Sequence, residues 1–329
     1  MKKILVTGGG GFIGCHLSKH LANEGNEVMI VDNLFRGRMD DELKEILKME
    51  NVKYTEADLT NSKSFEKLDS DFDYVYHLAA INGTRYFYEI PDEVLRTNSL
   101  ATINILDWFV KSECKKILFS SSSEVYAGAM RKFGLPIPTP EDVPLCIEDV
   151  QNSRWSYAGS KIIGELLFIN YAKKHDFDMT IVRYHNIYGP RMGYEHVIPE
   201  FLLNIYKNID PFPVYGNTSR AFCYIDDATE ATELVMKNKN CNGEVLNIGN
   251  DLEEISMVDL AKTMFDVLGY GATIDVKSAP EGSVDRRCPN INKLKKLTGY
   301  KPKINLKKGI ELTHRYCYKY FKERNKEDG

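Results

Sequence analysis

The chain has 329 residues, 43% hydrophobic and 27% charged, with a formal net charge of −4. That length supports one large domain or two modest ones around a real core; the near-balanced charge makes no electrostatic claim on nucleic acid or an anionic membrane, and no apolar run reaches the roughly 20 residues of a membrane helix. The seven cysteines are scattered and lack a C-x-x-C pair, and the seven histidines lack metal-ligand spacing, which points to reduced cytoplasmic thiols and against structural zinc or a disulfide framework.

The N-terminal stretch KKILVTGGGGFIGCHLSKHLANEG reads strand, glycine turn, helix. Its first apolar run is broken by glycines within a few residues, so it does not read as a signal peptide. Ile4, Leu5 and Val6 form a short buried strand, and Ile13, Leu17 and Leu21 recur at helical spacing. Gly8, Gly11 and Gly14 give G-x-x-G-x-x-G, followed through Phe12 and Ile13 by the helix. Glycine suits this turn because a side chain would keep the backbone from a pyrophosphate, which the positive end of the helix dipole attracts. A plain strand-to-helix turn would look similar. The next strand sharpens the reading: NEVMIVDN ends in Asp32 and Asn33, and an acid there accepts the ribose hydroxyls of NAD while repelling a 2′-phosphate. Arg36 and Arg38 follow closely and leave NADP open.

Strands continue at VKYTEAD, YVYHLAA, KKILFSSS and DMTIVRYHNIYG, with helical stretches around 62–68, 92–112 and 157–175. This alternation predicts a doubly wound parallel α/β sheet of the Rossmann kind, with ligands at the carboxyl ends of the strands. Asp58 and Leu59, then Leu78, Ala79 and Ala80, then Ser122 fall at such ends and are expected in one cleft, the first five against the cofactor. WSYAGSK places Tyr157 and Lys161 four apart, on one helix face. A lysine ammonium near the phenol would lower its pKa and let it take a proton near neutral pH, with Ser122 holding the same substrate hydroxyl. His77 reads as structural or as near the cofactor rather than as catalytic.

These motifs, with ADLT, Asn98, SSSSEVY, RYHNIYGPR, RAFCYIDD, LNIGN and RRCPNI, resemble the extended short-chain dehydrogenase/reductases, and among them the nucleotide-sugar epimerases and dehydratases. The resemblance implies Ser122, Tyr157 and Lys161 as the catalytic set, with Lys161 touching the nicotinamide ribose and Asn98 supporting the site. It also implies the reaction's first step, oxidation of the sugar C4 hydroxyl by NAD⁺. Residues 1–178 would form the NAD-binding domain, its sheet completed by later strands, and 179–329 mainly an interleaved nucleotide-sugar lobe. Asn186, Arg220 and Arg287 match substrate-side positions, and guanidinium suits phosphate because it donates two parallel bonds. Val214 and Tyr215 are expected along the base pocket. A homodimer through the helices of Asn98 and Tyr157 follows by analogy.

Glu124 has three readings: a base at sugar C5, a ligand for sugar hydroxyls, or an acceptor for loop amides. Simple C4 epimerases of the family carry a small residue there. The order Ser122, Ser123, Glu124 resembles GDP-mannose dehydratases and UDP-glucuronate decarboxylases, with Ser123 and Glu124 at the sugar. AAINGTRYFYEIP replaces the Ser-Pro-rich loop typical of the decarboxylases, and Arg85 within it could face a carboxylate. That segment and the long proline-rich stretch after Glu124 are similar to bacterial GDP-heptose C4 dehydrogenases. The expected activities are therefore, in order, a GDP-sugar (heptose-like) 4-dehydrogenase of polysaccharide biosynthesis, a 4,6-dehydratase, a C4 epimerase and a decarboxylase. A non-catalytic NAD(H) sensor is disfavoured by the presence of Tyr157 and Lys161, and a reductase of free carbonyl compounds by Asn186, Arg220 and Arg287.

Overall fold

Strands β1 (Lys3–Thr7), β2 (Glu27–Asp32), β3 (Val52–Glu56), β4 (Tyr74–His77), β5 (Lys116–Ser122) and β6 (Asp178–Tyr184) form a parallel sheet with a late strand, Val245–Ile248. The computed structural model describes residues 1–279 and 283–327. Across the sheet the order is Val245–Ile248, β6, β5, β4, β1, β2, β3. Continuous apolar runs make the central strands, because helices cover both faces of a parallel sheet; Ile4, Leu5 and Val6 of β1 are all buried. The strand order reverses between β1 and β4, which opens a crevice at their carboxyl ends. In register there, Thr7 lies opposite His77 on one side and Val31 on the other.

The helices are α1 (Phe12–Asn23), α2 (Asp41–Ile46), α3 (Thr84–Glu89), α4 (Pro91–Phe109), α5 (Ala127–Phe133) and α6 (Trp155–His175) in the first part of the chain. Pro91 opens α4 with its φ already set for a helix, followed by Asp92 and Glu93 at the positive end of the dipole. Helices α4 and α6 pack together on one face of the sheet, where Phe168 of α6 joins Leu5, Val31 and Phe119 in one core. On the other face α1 packs against the helix Ile225–Lys237. That last helix has no counterpart in the periodicity reading. Its buried stripe is largely Ala228, Thr229, Ala231 and Thr232, whose small side chains give little hydrophobic contrast. Helices α3 and α5 likewise lie in segments read as loops.

Beyond β6 the chain forms short strands: Phe212–Tyr215 beside Ile274–Lys277, and Ser219–Ala221 between Glu254–Ser256 and Arg286–Arg287. Helices Val197–Tyr206, Met257–Leu268 and Leu306–Glu327 accompany them. Because Val245–Ile248 returns to pair with β6, the second part of the chain is tied into the main sheet.

Candidate active site

The crevice at the strand ends is a cavity of about 870 Å³, within the usual range for a small-molecule site. At its floor β1 runs into the glycine turn. Gly8 has φ +73°, and a Cβ there would lie 2.6 Å from the backbone nitrogen of Ala79. The turn thus fills the space against the β4 exit where a side chain would stand. A Cβ on Gly14 would lie 2.2 Å from the Gly8 carbonyl oxygen, so α1 can approach the turn only through glycine. Asp32 ends β2, and its carboxylate accepts the amides of Gly10 at 2.9 Å and Leu34 at 2.7 Å. Burial pushes this carboxyl up, and the two amides oppose the shift. Gly8, Gly11, Phe12, Ile13, Gly14, Asp32, Asn33, Asp58, Leu59, Leu78, Ala79 and Ala80 all line the cavity. The cradle and its acidic end fit NAD. Arg36 and Arg38 also line the cavity; Arg36 stands 3.6 Å from the Glu195 carboxylate and over the Tyr86 ring, and Arg38 donates to the Arg191 carbonyl.

The four serines of β5 and its exit do four different things. The Ser120 carbonyl accepts the Lys161 ammonium at 2.7 Å. The Ser121 hydroxyl donates to Glu165, which holds Arg183 through two further bonds of 2.9 and 2.7 Å. Ser122 caps the short turn Ser123–Tyr126 by accepting the Glu124 amide at 3.2 Å. Ser123 accepts from Arg287 Nη1 at 3.4 Å, and the same nitrogen donates to Glu124 Oε1 at 2.7 Å. Asn98 brackets the backbone of Ile81, accepting its amide at 2.7 Å and donating to its carbonyl, and also donates to Ser160 on α6. It supports the site by fixing the β4 exit against α6. His77 is buried between Thr7 and Thr102, and burial takes its imidazole down to about 3, the structural part expected of it.

Tyr157 and Lys161 share a helix face, but the phenol is not lowered as that spacing predicts. Burial raises Tyr157 above its ordinary value; the hydrogen bond with Ser122 opposes this and Glu124 adds to it. Lys161 is itself taken down to about 7 by burial, against the pull of Glu165. Its Nζ bonds to Ser120 and faces the rings of Phe119 at 4.9 Å and Tyr157 at 5.6 Å. At Glu124 burial also works upward, but the guanidinium groups of Arg287 and Arg154 outweigh it and hold the carboxyl at about 2. Arg154 stands 3.5 Å from Glu124.

Ser122, Ser123, Glu124, Asn98, Tyr157, Lys161, Asn186 and Arg287 share the cavity wall. Four expected residues are placed differently. Arg85 lies outside the cavity, pairing at 3.2 Å with Glu89 one turn along α3. Val214 is fully buried in the core, and Tyr215 points away, half-exposed beneath Lys277; alternation along Phe212–Tyr215 sends one inward and the other to solvent, so neither lines the cavity. Arg220 does not reach the wall, yet its charge acts on both Glu124 and Arg287. Conversely, the sequence reading missed Phe87, whose ring stacks on Tyr157 at 4.9 Å and 11°, and Arg154. The i,i+4 spacing of Arg85 and Glu89 was the available signal for α3. Nothing in the spacing of Phe87 or Arg154 marks them.

The profile of the NAD dependent epimerase/dehydratase family matches residues 4–249. The chain is 35% identical over 325 residues to the UDP-N-acetyl-alpha-D-glucosaminuronate decarboxylase of Bacillus cytotoxicus, covering 95% of this chain and 96% of that one. It is 32% identical to the UDP-glucuronic acid decarboxylase 1 of Xenopus tropicalis, covering 97% and 72%. Among solved structures, the UDP-glucuronic acid 4-epimerase of Bacillus cereus, in complex with UDP-glucuronic acid and NAD, superposes with a TM-score of 0.84 at 27% identity, covering 97% and 99%. The parallel sheet order agrees with these likenesses, and the chain belongs to the NAD-dependent epimerase/dehydratase family of nucleotide-sugar enzymes.

Proposed function

We propose that this enzyme oxidises C4 of a UDP-linked uronic acid and that the resulting 4-keto acid loses carbon dioxide. The observation that carries the reading is Arg287, whose Nη1 bonds both Ser123 and Glu124 beside Ser122. A guanidinium at the sugar end of the cleft, next to the oxidising residues, suits a carboxylate because it donates parallel charge-assisted bonds. Relatives named as decarboxylases of UDP-linked uronic acids support the same substrate class.

Tyr157 would take the proton of the C4 hydroxyl, which Ser122 holds in place; since burial raises the phenol, this role requires positive charge beside it, from Lys161 in its ammonium form and from the nicotinamide, to favour the phenolate. NAD, which the glycine turn and Asp32 would hold, would supply the hydride acceptor for C4 and the hydride for the final reduction, making the overall reaction redox-neutral. Ketone formation turns the C6 carboxylate into a β-keto acid. The C5–C6 bond then breaks, carbon dioxide leaves, and the electron pair passes to an enolate whose oxygen faces Ser122 and Tyr157. Arg287 with Ser123 orients the leaving carboxylate. A proton from water is delivered to C5, and Tyr157 gives its proton back to O4 as the ketone is reduced. Glu124, held ionised, anchors Arg287 rather than acting as a base.

Mass spectrometry of UDP-glucuronate, its N-acetylamino analogue, UDP-glucose and a GDP-heptose after incubation with enzyme and NAD⁺ tests this. Loss of carbon dioxide from the uronates is expected. Loss of two hydrogens with accumulating NADH would establish a 4-dehydrogenase instead, and unchanged mass with inverted C4 an epimerase.

A further inference from the structure

Arg191 lies in the segment that follows β6, five residues after the cavity-lining Asn186. Its backbone is at φ +68°, a conformation that non-glycine residues seldom take. Its side chain is 2% exposed and crosses to the other half of the molecule. Nε and Nη2 grip both oxygens of Asp40 at 2.8 and 2.9 Å. Nη1 donates to the Gly11 carbonyl at 2.9 Å, and Nη2 to the carbonyls of Gly10 and Arg38 at 3.2 and 3.1 Å. Asp40 in turn caps α2 through the Leu43 amide. Arg191 is also part of the cavity lining, and its guanidinium bonds the glycine turn only through carbonyl oxygens.

The peptide group is planar and trans, so fixing a carbonyl fixes the amide of the next residue on the opposite side. Gly11 is the residue before α1 and has no side chain to cap it. With the Gly11 carbonyl held by Arg191, the Phe12 amide, first of the unpaired donors of α1, is aimed the other way, where Phe12 lines the cavity. The Gly10 carbonyl is held twice, by Arg191 and by the Arg38 amide at 3.0 Å. Glycine makes this turn possible but also leaves it conformationally free; the Gly11 amide, donating to the Gly8 carbonyl at 3.1 Å, and the Gly10 amide, donating to Asp32, hold its donor side, and Arg191 fixes the carbonyls of Gly10 and Gly11.

We propose that Arg191, braced by Asp40, is a positioning residue for the cofactor's pyrophosphate. It presets the amides at the start of α1 from the side of the chain that carries the sugar site. The inference rests on NAD binding and is independent of whether the product is a decarboxylated sugar.

The test compares ADP-ribose, which carries the pyrophosphate, with adenosine, which lacks it, by calorimetry or ligand-observed NMR on Arg191→Met, Arg191→Lys and Asp40→Asn. Arg191→Met is expected to weaken ADP-ribose by about tenfold or more, the scale of one or two lost oriented bonds, with adenosine within about twofold. Arg191→Lys and Asp40→Asn should fall between Arg191→Met and the parent, and they carry the comparison should Arg191→Met fail to fold. Equal weakening of both ligands would show a general structural role, and unchanged ADP-ribose affinity would show no role; either result overturns the proposal.

Discussion

Glu124 offers the most direct check on the electrostatics of the sugar end. Its carboxyl lies at about 2 instead of the ordinary 4.5, because Arg287 and Arg154 outweigh the opposing effect of burial. At about 1.36 kcal/mol per pKa unit, that difference amounts to about 3 kcal/mol of folding stability at neutral pH. The folded value lies below the unfolded one, so this stability is fully present above about pH 5 and is lost as the pH falls toward about 2. Glu124→Gln removes the titrating group and should be destabilised at neutral pH by leaving Arg287 and Arg154 unpaired. Its deficit should then shrink through the acid window. Arg287→Met leaves Glu124 with Arg154 at 3.5 Å; burial then gains on attraction, the carboxyl moves up, and the pH dependence of stability flattens. Urea unfolding of the three proteins in steps from about pH 7 to about pH 3 reads these slopes. Parallel stability curves for the parent and Glu124→Gln across that window would refute the ion-pair reasoning and reopen Glu124 as a protonatable base.

Tyr157→Phe should keep NAD binding and fold but lose NAD⁺-dependent oxidation by about 10²- to 10⁴-fold, the usual worth of a positioned acid–base group, read by NADH absorbance in single turnover. Lys161→Met should lose activity yet raise unfolding free energy by at least about 1 kcal/mol near pH 6, since the native state there carries a charge disfavoured by burial. The lysine's folded value, about 7, lies below the ordinary 10.5; native protein releases the proton first, so the parent gains stability from about pH 7 to 10 and the variant's advantage narrows. A gap that is constant with pH would contradict this. The outward faces of α4 and α6 leave Leu95, Ile163 and Leu166 38%, 42% and 56% exposed; if two chains pair through them, Leu166→Asp should convert a dimer to a monomer in analytical ultracentrifugation.

The cofactor half was legible because its requirements are local. A glycine at φ +73° touching the Ala79 backbone, an acid at the end of β2 and a hydroxyl at the end of β5 each show as a residue type at a strand end. The sheet then brings them together. The i,i+4 spacing of Tyr157 and Lys161 correctly implied a shared face, but proximity did not settle their chemistry: the Ser120 carbonyl, at 2.7 Å, takes the ammonium. The sugar end was less legible because it depends on where long side chains aim. Arg85 and Arg154 are equally charged in the sequence, yet one folds back on Glu89 and the other reaches Glu124. Val214 and Tyr215 fell to a two-residue alternation whose phase is set by pairing with Ile274–Lys277. Phe87 lies on a helix of six residues, too short to display a period.

The net charge of −4 hides a sharp division within the cleft. The cofactor end presents Asp32, which suits ribose hydroxyls and opposes an added phosphate. At the sugar end Arg287 lines the cavity, and Arg154 and Arg220, outside its lining, act with it on the carboxylate of Glu124. Among the described residues three guanidinium groups act with two carboxylates, Glu124 and Asp285, and Arg220 registers the excess: burial first, then the like charge of Arg287, take its guanidinium down to about 9. A cluster strained in this way is improved by an anion. A diphosphate can match the excess, and a uronate carboxylate adds one more negative charge, which Arg287 can accept only by sharing itself with Glu124. Substrate affinity should therefore fall with ionic strength more steeply for a UDP-uronate than for UDP-glucose, and Glu124→Gln, which frees Arg287, should tighten the uronate selectively while leaving UDP-glucose near its parent affinity. Equal salt slopes for the two sugars would place the carboxylate away from Arg287 and remove the main support for a uronic acid substrate.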